Sequence, residues 1–225
     1  MKIAVLSDAH GNEIYFDKCM QHLKKVNPHK IVFLGDCFGY MRHGDAIMTK
    51  LRQANAKILL GNHEALLLGM LPFDAEKELV YGIENDRKNI SKYNLEYIKS
   101  LQPEFHEQID DKRILYVHGR PNSPLDGYLY ENNTAFEWEE AGYDVIFMGH
   151  THRPYIKKVN HAVYVNVGSC GLPRDIGTAP SYAVYNSCSG EVQIQRIKIS
   201  AAELQQVFKQ QIHSKVYECL MREGK

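Results

Sequence analysis

The stretch Ile3-Ala4-Val5-Leu6-Ser7-Asp8-Ala9-His10 decides the fold. A short apolar run with β-branched residues, ended by polar ones and by Gly11, reads as a buried strand. Directly after that run come a carboxylate and an imidazole, two residues apart. They stand at a strand's carboxyl end, the place where open α/β sheets bind ligands. Outward along the chain the same construction recurs. Ile31-Val32-Phe33-Leu34 runs into Gly35-Asp36, and Ile58-Leu59-Leu60 runs into Gly61-Asn62-His63-Glu64. Ile114-Leu115-Tyr116-Val117 runs into His118-Gly119, and Val145-Ile146-Phe147-Met148 runs into Gly149-His150-Thr151-His152. Five strand ends carrying Asp, His and Asn describe one metal site assembled from distant pieces.

Between these strands the pattern changes to helical. Glu13 to Val26 has apolar residues near helical spacing, with Asn12 to cap it and Asn27-Pro28 to end it. A second helix is expected over 44–54, so strands at 3–7, 30–34 and 56–60 form a βαβαβ unit with parallel strands and right-handed crossovers. The segment 64–101 is expected as a helical insertion, with Asp74 and Ser91 as caps, forming either a cap over the site or a packed outer helix pair. Strands at 105–109 and 112–117 flank a tight turn at Asp110-Asp111. Thr134 and Glu137 form a capping-box signature for a helix to about residue 142. After a strand at 144–148 the pattern turns antiparallel, at 154–159, 162–167, 181–186 and 191–198. Ser200 and Glu203 open a last helix over 201–221 whose Leu204, Phe208, Ile212, Val216 and Leu220 make an apolar stripe facing the domain. With no repeat and no linker, residues 1–225 are read as one domain.

Composition narrows the class. The 225 residues are 44% hydrophobic and 24% charged, ordinary for a soluble globular protein. A chain of this length buries a core without disulfide staples. The formal net charge of zero supplies no global field toward nucleic acid or membrane, so a duplex nucleic-acid partner is not expected. The cysteines are five, an odd number, and form no CxxC pair, which argues against a zinc knuckle and for a reducing, cytoplasmic setting. Asp8 comes too soon for a signal-peptide core, and no apolar stretch approaches about 20 residues, so no membrane span is expected.

The ligand candidates are Asp8, His10, Asp36, Asn62, His118, His150 and His152. One Asp-x-His or a lone strand-end histidine would be weak, because such histidines are more often surface or hydrogen-bonded residues. The joint pattern is what carries the reading. A divalent ion takes four to six ligands, so seven with Asp36 as bridge suit two ions, roughly 3.5–4 Å apart in known two-metal sites. Mixed imidazole and carboxylate ligation without thiolate suits Mn, Fe, Zn or Ni and disfavours calcium or a structural zinc. Mn²⁺ is the expected ion.

The series Asp8-Ala9-His10, Gly35-Asp36, Gly61-Asn62-His63-Glu64, His118-Gly119 and Gly149-His150-Thr151-His152 resembles the calcineurin-like metallophosphoesterases, in family order over residues 1–170. Two further stretches, Gly35 to Tyr40 and Asn166 to Asp175, resemble the YfcE-type phosphodiesterase group within that superfamily. The resemblance implies a four-layer α/β/β/α sandwich whose second sheet is formed by the antiparallel C-terminal strands. It implies one ion held by Asp8, His10, Asp36 and His152, and another by Asp36, Asn62, His118 and His150. It places His63 near the leaving-group oxygen, with Glu64 able to orient His63, and makes Arg174 the favoured phosphate-binding residue. Arg42, His43 and Arg120 also lie in loops beside the motifs, where a solvated surface position is the simpler reading. Tyr40 and Tyr128 are equally readable as base-stacking or packing residues.

The function expected is hydrolysis of phosphodiester bonds in a small-molecule substrate by attack of a metal-bridging hydroxide. Two alternatives share the fold: a phosphomonoesterase or dinucleoside polyphosphate hydrolase, and a metal-binding scaffold without catalysis. A retromer subunit of similar fold is such a scaffold and lacks the histidine of the Asn-His pair, whereas His63 is present here. A recombination-repair type of nuclease would need a capping domain and a DNA-binding surface, and the chain shows neither. Substrate identity, ion identity and a homo-oligomeric state are left open by the sequence.

Overall fold

From Ile3 onward the first strand is wholly buried, as an unbroken apolar run requires of a strand covered on both faces. The structure, a computed structural model, describes residues 1–133, 136 and 142–224. In chain order the strands are β1 (Lys2–Leu6), β2 (Lys30–Phe33), β3 (Lys57–Ile58), β4 (Glu104–Ile109), β5 (Lys112–Val117), β6 (Val145–Met148), β7 (Tyr155–Val159), β8 (Ala162–Asn166), β9 (Ser181–Asn186) and β10 (Glu191–Arg196). The helices are α1 (Glu13–Val26), α2 (Gly44–Gln53), α3 (Asn62–Leu67), α4 (Ala75–Tyr81), α5 (Ile83–Asn89), α6 (Lys92–Ile98), α7 (Ala201–Phe208) and α8 (Ser214–Leu220).

Two mixed sheets result. The first runs β10-β9-β1-β2-β3, with β1, β2 and β3 parallel and β9 antiparallel to β1. The second runs β4-β5-β6-β8-β7, with β5, β6 and β8 parallel and antiparallel strands at both edges. The expectation that the C-terminal strands make up the second sheet is therefore corrected. Only β7 and β8 enter it; β9 and β10 complete the first. The reason lies in β1, which is buried from Ile3 onward and needs a neighbour on each edge. With Tyr182, Ala183 and Tyr185 buried, β9 fills that place in the register Ile3↔Tyr185 and Val5↔Ala183.

Strand alternation sorts the core into layers. Ile3, Val5, Val32 and Leu34 face Ile114, Tyr116, Val145 and Phe147 between the sheets. Ala4, Leu6, Phe33 and Ile58 point the other way, onto Phe16, Ile47, Leu51, Ile83 and Ile98 of the helices. Full burial of a side chain of this size contributes about 1.5–3 kcal/mol. On the outer face of the second sheet, Val117, Ile146, Met148 and Tyr164 pack with Leu129 and Phe136. The helix expected over 134–142 lies mostly outside the described residues. The architecture is an α/β sandwich of two mixed sheets with flanking helices.

Asn12 caps α1 by accepting from Tyr15 N, Asp74 caps α4, and Ser91 caps α6. In 64–101, α5 and α6 pack against the first sheet's outer cluster, while α4 buries none of its side chains. The single helix expected over 201–221 is two helices. His213 adopts extended backbone and its Nδ1 accepts from Lys215 N at 3.2 Å, starting α8 afresh. The bend keeps the whole stripe in one cluster with Tyr15, Met41 and Leu172. Among the described residues, no helix is long and apolar enough to cross a membrane.

Candidate metal centre

The loops that leave β1, β2, β3, β5 and β6 meet at one point because their strands are neighbours in two facing sheets. Backbone pairing continues past the strand ends: Asp8 N donates to Gly35 O, His10 N to Asp36 O, and Gly149 N to His118 O, all at 2.9–3.0 Å. Asp8, His10, Asp36, His150 and His152 all sit at left-handed φ, between 49° and 63°. Each such non-glycine residue costs of order 1–3 kcal/mol and is kept only where its surroundings over-determine it. The left-handed turns aim the side chains inward, where an extended strand would send them past the site.

The sequence candidates converge. Asp8 Oδ1 lies 3.2 Å from His152 Nε2 and 3.7 Å from His10 Nε2. Asp36 Oδ2 is 3.6 Å from His10 Nε2, and its Oδ1 is 3.5 Å from His118 Nε2. Asn62 Oδ1 is 3.0 Å from His118 Nε2. Three compact, buried ligand groups result: Asp8, His10 and His152 form one, Asp36, His118 and His150 another, and His10, Asp36 and His63 a third that shares its members with both.

The hydrogen bonds fix how the rings present themselves. His10 Nδ1 donates to Phe38 O at 3.1 Å, His118 Nδ1 to Leu34 O at 3.0 Å, and His152 Nδ1 to Leu172 O at 2.6 Å. A carbonyl only accepts, so each Nδ1 carries the proton, and a neutral ring turns its Nε2 lone pair into the centre. Yet His10 Nε2 and His152 Nε2 stand 3.1 Å apart. Two neutral lone pairs at that distance repel unless something positive lies beside them. Asp8 Oδ1 and His150 Nε2 are buried without any hydrogen-bond partner. Once His118 gives up the Nε2 proton that Asp36 and Asn62 favour, these converging acceptors are the donor set of a divalent cation, and imidazole with carboxylate fits Mn, Fe, Ni or Zn.

Charge obeys the same logic. Burial opposes ionisation of Asp8 and Asp36, but neighbouring imidazoles, His152 for Asp8 and His118 for Asp36, hold both carboxyls below the usual range. Burial, with the charge of His118, pushes His150 down to about 4. Burial, with the charge of Arg174, pushes His152 down to about 3. Burial also works against a charged His118, yet the Asp36 carboxylate raises it to about 9.

His63 is 2% exposed and its Nε2 is 4.0 Å from Asp36 Oδ2. Its ring lies between Tyr40, His10 and Tyr81, with centroids 4.6–5.1 Å away. Gly39, at φ 84°, leaves room for it: a Cβ there would stand 2.1 Å from His63 Nδ1. Arg174 Nη2 donates to Tyr40 Oη at 3.1 Å, so the two subgroup-like stretches meet beside the centre. The Tyr128 ring lies 4.0 Å from that of His150. Arg42 and His43 are instead engaged with Gln211 and Glu13. Glu64 is turned away from the His63 ring; its carboxylate accepts from backbone N–H groups. Ser169, whose Oγ donates to Asp8 O at 2.7 Å, falls in the subgroup-like stretch 166–175, whereas Tyr81 carries no signal in the sequence. Only the tertiary fold brings α4 to the site.

A model of the calcineurin-like phosphoesterase superfamily domain matches residues 1–190. The chain belongs to the calcineurin-like phosphoesterase superfamily. Two curated proteins of Methanocaldococcus jannaschii are similar to it. One, described as uncharacterised, is 27% identical over 213 residues, 87% of each chain. The other, described as a phosphodiesterase, is 22% identical over 172 residues, 76% of this chain and 84% of that one. A metallophosphoesterase structure from Sphaerobacter thermophilus superposes with a TM-score of 0.79 at 22% identity over 98% of both chains. The YfcE phosphoesterase of E. coli superposes with a TM-score of 0.52 at 16% identity, over 89% of this chain and all of that one. This calcineurin-like chain thus shares the fold of both, and its C-terminal helices lie beyond the matched 1–190.

Proposed function

We propose that this calcineurin-like protein is a phosphodiesterase that holds two divalent ions, Mn²⁺ first among them, and acts on a small-molecule phosphoester. The observation that carries the reading is the pair of Nε2 atoms of His10 and His152, 3.1 Å apart, with both Nδ1 protons already spent on carbonyls. One ion is assigned to Asp8, His10, Asp36 and His152, and the other to Asp36, Asn62, His118 and His150. Bound ions of this kind lower the pKa of water toward 7 and neutralise charge on a phosphoryl group.

The chain's own residues then have separate tasks. Asp36, with Oδ2 near His10 and Oδ1 near His118, would be the residue shared between the two ions. The buried walls exclude bulk water and so strengthen every charge interaction inside. His63, its pKa pushed well down by burial, is neutral at pH 7 and meets the leaving-group oxygen by hydrogen bonding. Arg174, on the Tyr40 hydroxyl, offers a fixed positive charge to a phosphate oxygen. Preference for a diester rests on the likeness to the YfcE-type group and on the curated relative described as a phosphodiesterase.

Hydrolysis of bis-p-nitrophenyl phosphate against p-nitrophenyl phosphate, with Mn²⁺ added, tests this. The diester is expected to be the better substrate. Dominant monoester turnover would reject the diester assignment, and no turnover with Mn²⁺, Ni²⁺ or Fe²⁺ would reject catalysis.

A further inference from the structure

Glu64 has no exposed surface, and its carboxylate forms no ion pair among the described residues. A buried carboxylate is costly unless it is hydrogen-bonded. Here the compensation is entirely main-chain. Oε2 accepts from Asp36 N at 2.8 Å and from Gly61 N at 2.9 Å, and Oε1 accepts from Cys37 N at 2.6 Å. A fourth bond returns the other way: His63 N donates to Asp36 Oδ1 at 2.9 Å. The two turns are pressed so close that a Cβ on Gly61 would stand 2.2 Å from Asp36 Oδ1.

These bonds land on the residue with most to gain from them. Asp36 holds φ 62°, a left-handed conformation that its own chain disfavours. The N–H groups on both sides of its α-carbon, its own and that of Cys37, point at Glu64. We propose that Glu64 is a positioning residue: it holds the backbone of Asp36 left-handed, so that both carboxylate oxygens face the two ligand groups at once. This deepens the two-ion reading and rests on it, since the value of the position is that Asp36 reaches both ions.

Glu64→Gln is nearly isosteric but has one acceptor oxygen instead of two, and turns an NH₂ toward a backbone N–H. Glu64→Asp keeps the charge and shortens the reach. In folded Glu64→Gln, manganese affinity by titration calorimetry is expected to weaken about 10–100-fold, the usual effect of losing a partner that orients a ligand. Glu64→Asp should show the same direction. Crystals of the metal-free wild type and Glu64→Gln should show Asp36 leaving the left-handed region only in the variant. A variant with lowered Tm but wild-type manganese affinity and unchanged Asp36 φ would overturn the proposal, leaving Glu64 a merely structural residue. Wild-type protein that takes up no manganese would instead sink the two-ion reading, while the Asp36 backbone would still report on Glu64.

Discussion

His63 illustrates how a single residue can be isolated from its neighbours' task. It lies beside Asn62 in sequence, yet its ring points among Tyr40, Tyr81 and His10 with its Nε2 4.0 Å from Asp36. His63→Ala should therefore keep the manganese content measured by elemental analysis while turnover falls about 10²–10³-fold, the range for losing one hydrogen-bond donor to a developing oxyanion. Metal loss in that variant would show a ligand role instead. His118 makes a separate prediction. With the Asp36 carboxylate overcoming burial to raise it to about 9, it is protonated at neutral pH in the metal-free protein, whereas His150 and His152, at about 4 and about 3, are neutral. A metal must displace that proton, so manganese affinity should rise with pH toward 9. Calorimetry at pH 7.5 in buffers of different ionisation enthalpy should detect about one proton released; no release would contradict it. The identities of these residues are legible in sequence because ligand chemistry is a property of side chains. Their left-handed backbone is not, because Asp8 and His10 owe it to contacts with Gly35, Asp36 and Phe38, remote in sequence.

At the scale of elements, α4 and α5 differ sharply although only Gly82 separates them. Among the described residues α4 buries no side chain, and Gly69 and Gly82, both at left-handed φ, stand in open space on either side of it. Amide exchange should therefore be faster in α4 than in α1 or α2, which bury four residues each. Equal protection would mean that α4 is anchored by something other than its side chains. In α5, Asp86 accepts from Gly39 N at 2.8 Å, and burial raises its carboxyl to about 7. The folded state then holds a proton that the unfolded chain releases near pH 4, so stability falls as pH rises from about 4 to about 7. Asp86→Asn keeps an acceptor for Gly39 and removes the titration. The Tm difference between wild type and variant should grow in the variant's favour across that interval; a constant difference would contradict it. Strand order is the least legible level. The alternation in 181–186 marks a strand, but nothing local says that it seats beside β1 instead of β7. The apolar stripe of 201–221 marks a packing face in the sequence, while the break at His213 depends on the curvature of the cluster it covers.

In the whole molecule, five loops from two sheets deliver two carboxylates and four imidazoles to one buried point. Ions that bind there should stabilise the fold, by about 2.7 kcal/mol at a free concentration one hundred times Kd. Tm should therefore climb with added manganese and fall back with chelator. The sandwich class is visible in sequence because buried strands with ligand-bearing ends restrict the architecture severely; the approach of Tyr81 of α4 to His63 is not, being a matter of long-range packing. The most direct measurement is anomalous diffraction from crystals soaked in manganese. Two peaks are predicted, one among Asp8, His10, Asp36 and His152 and one among Asp36, Asn62, His118 and His150. A site without ions, or with the two groups turned away from each other, would contradict the account.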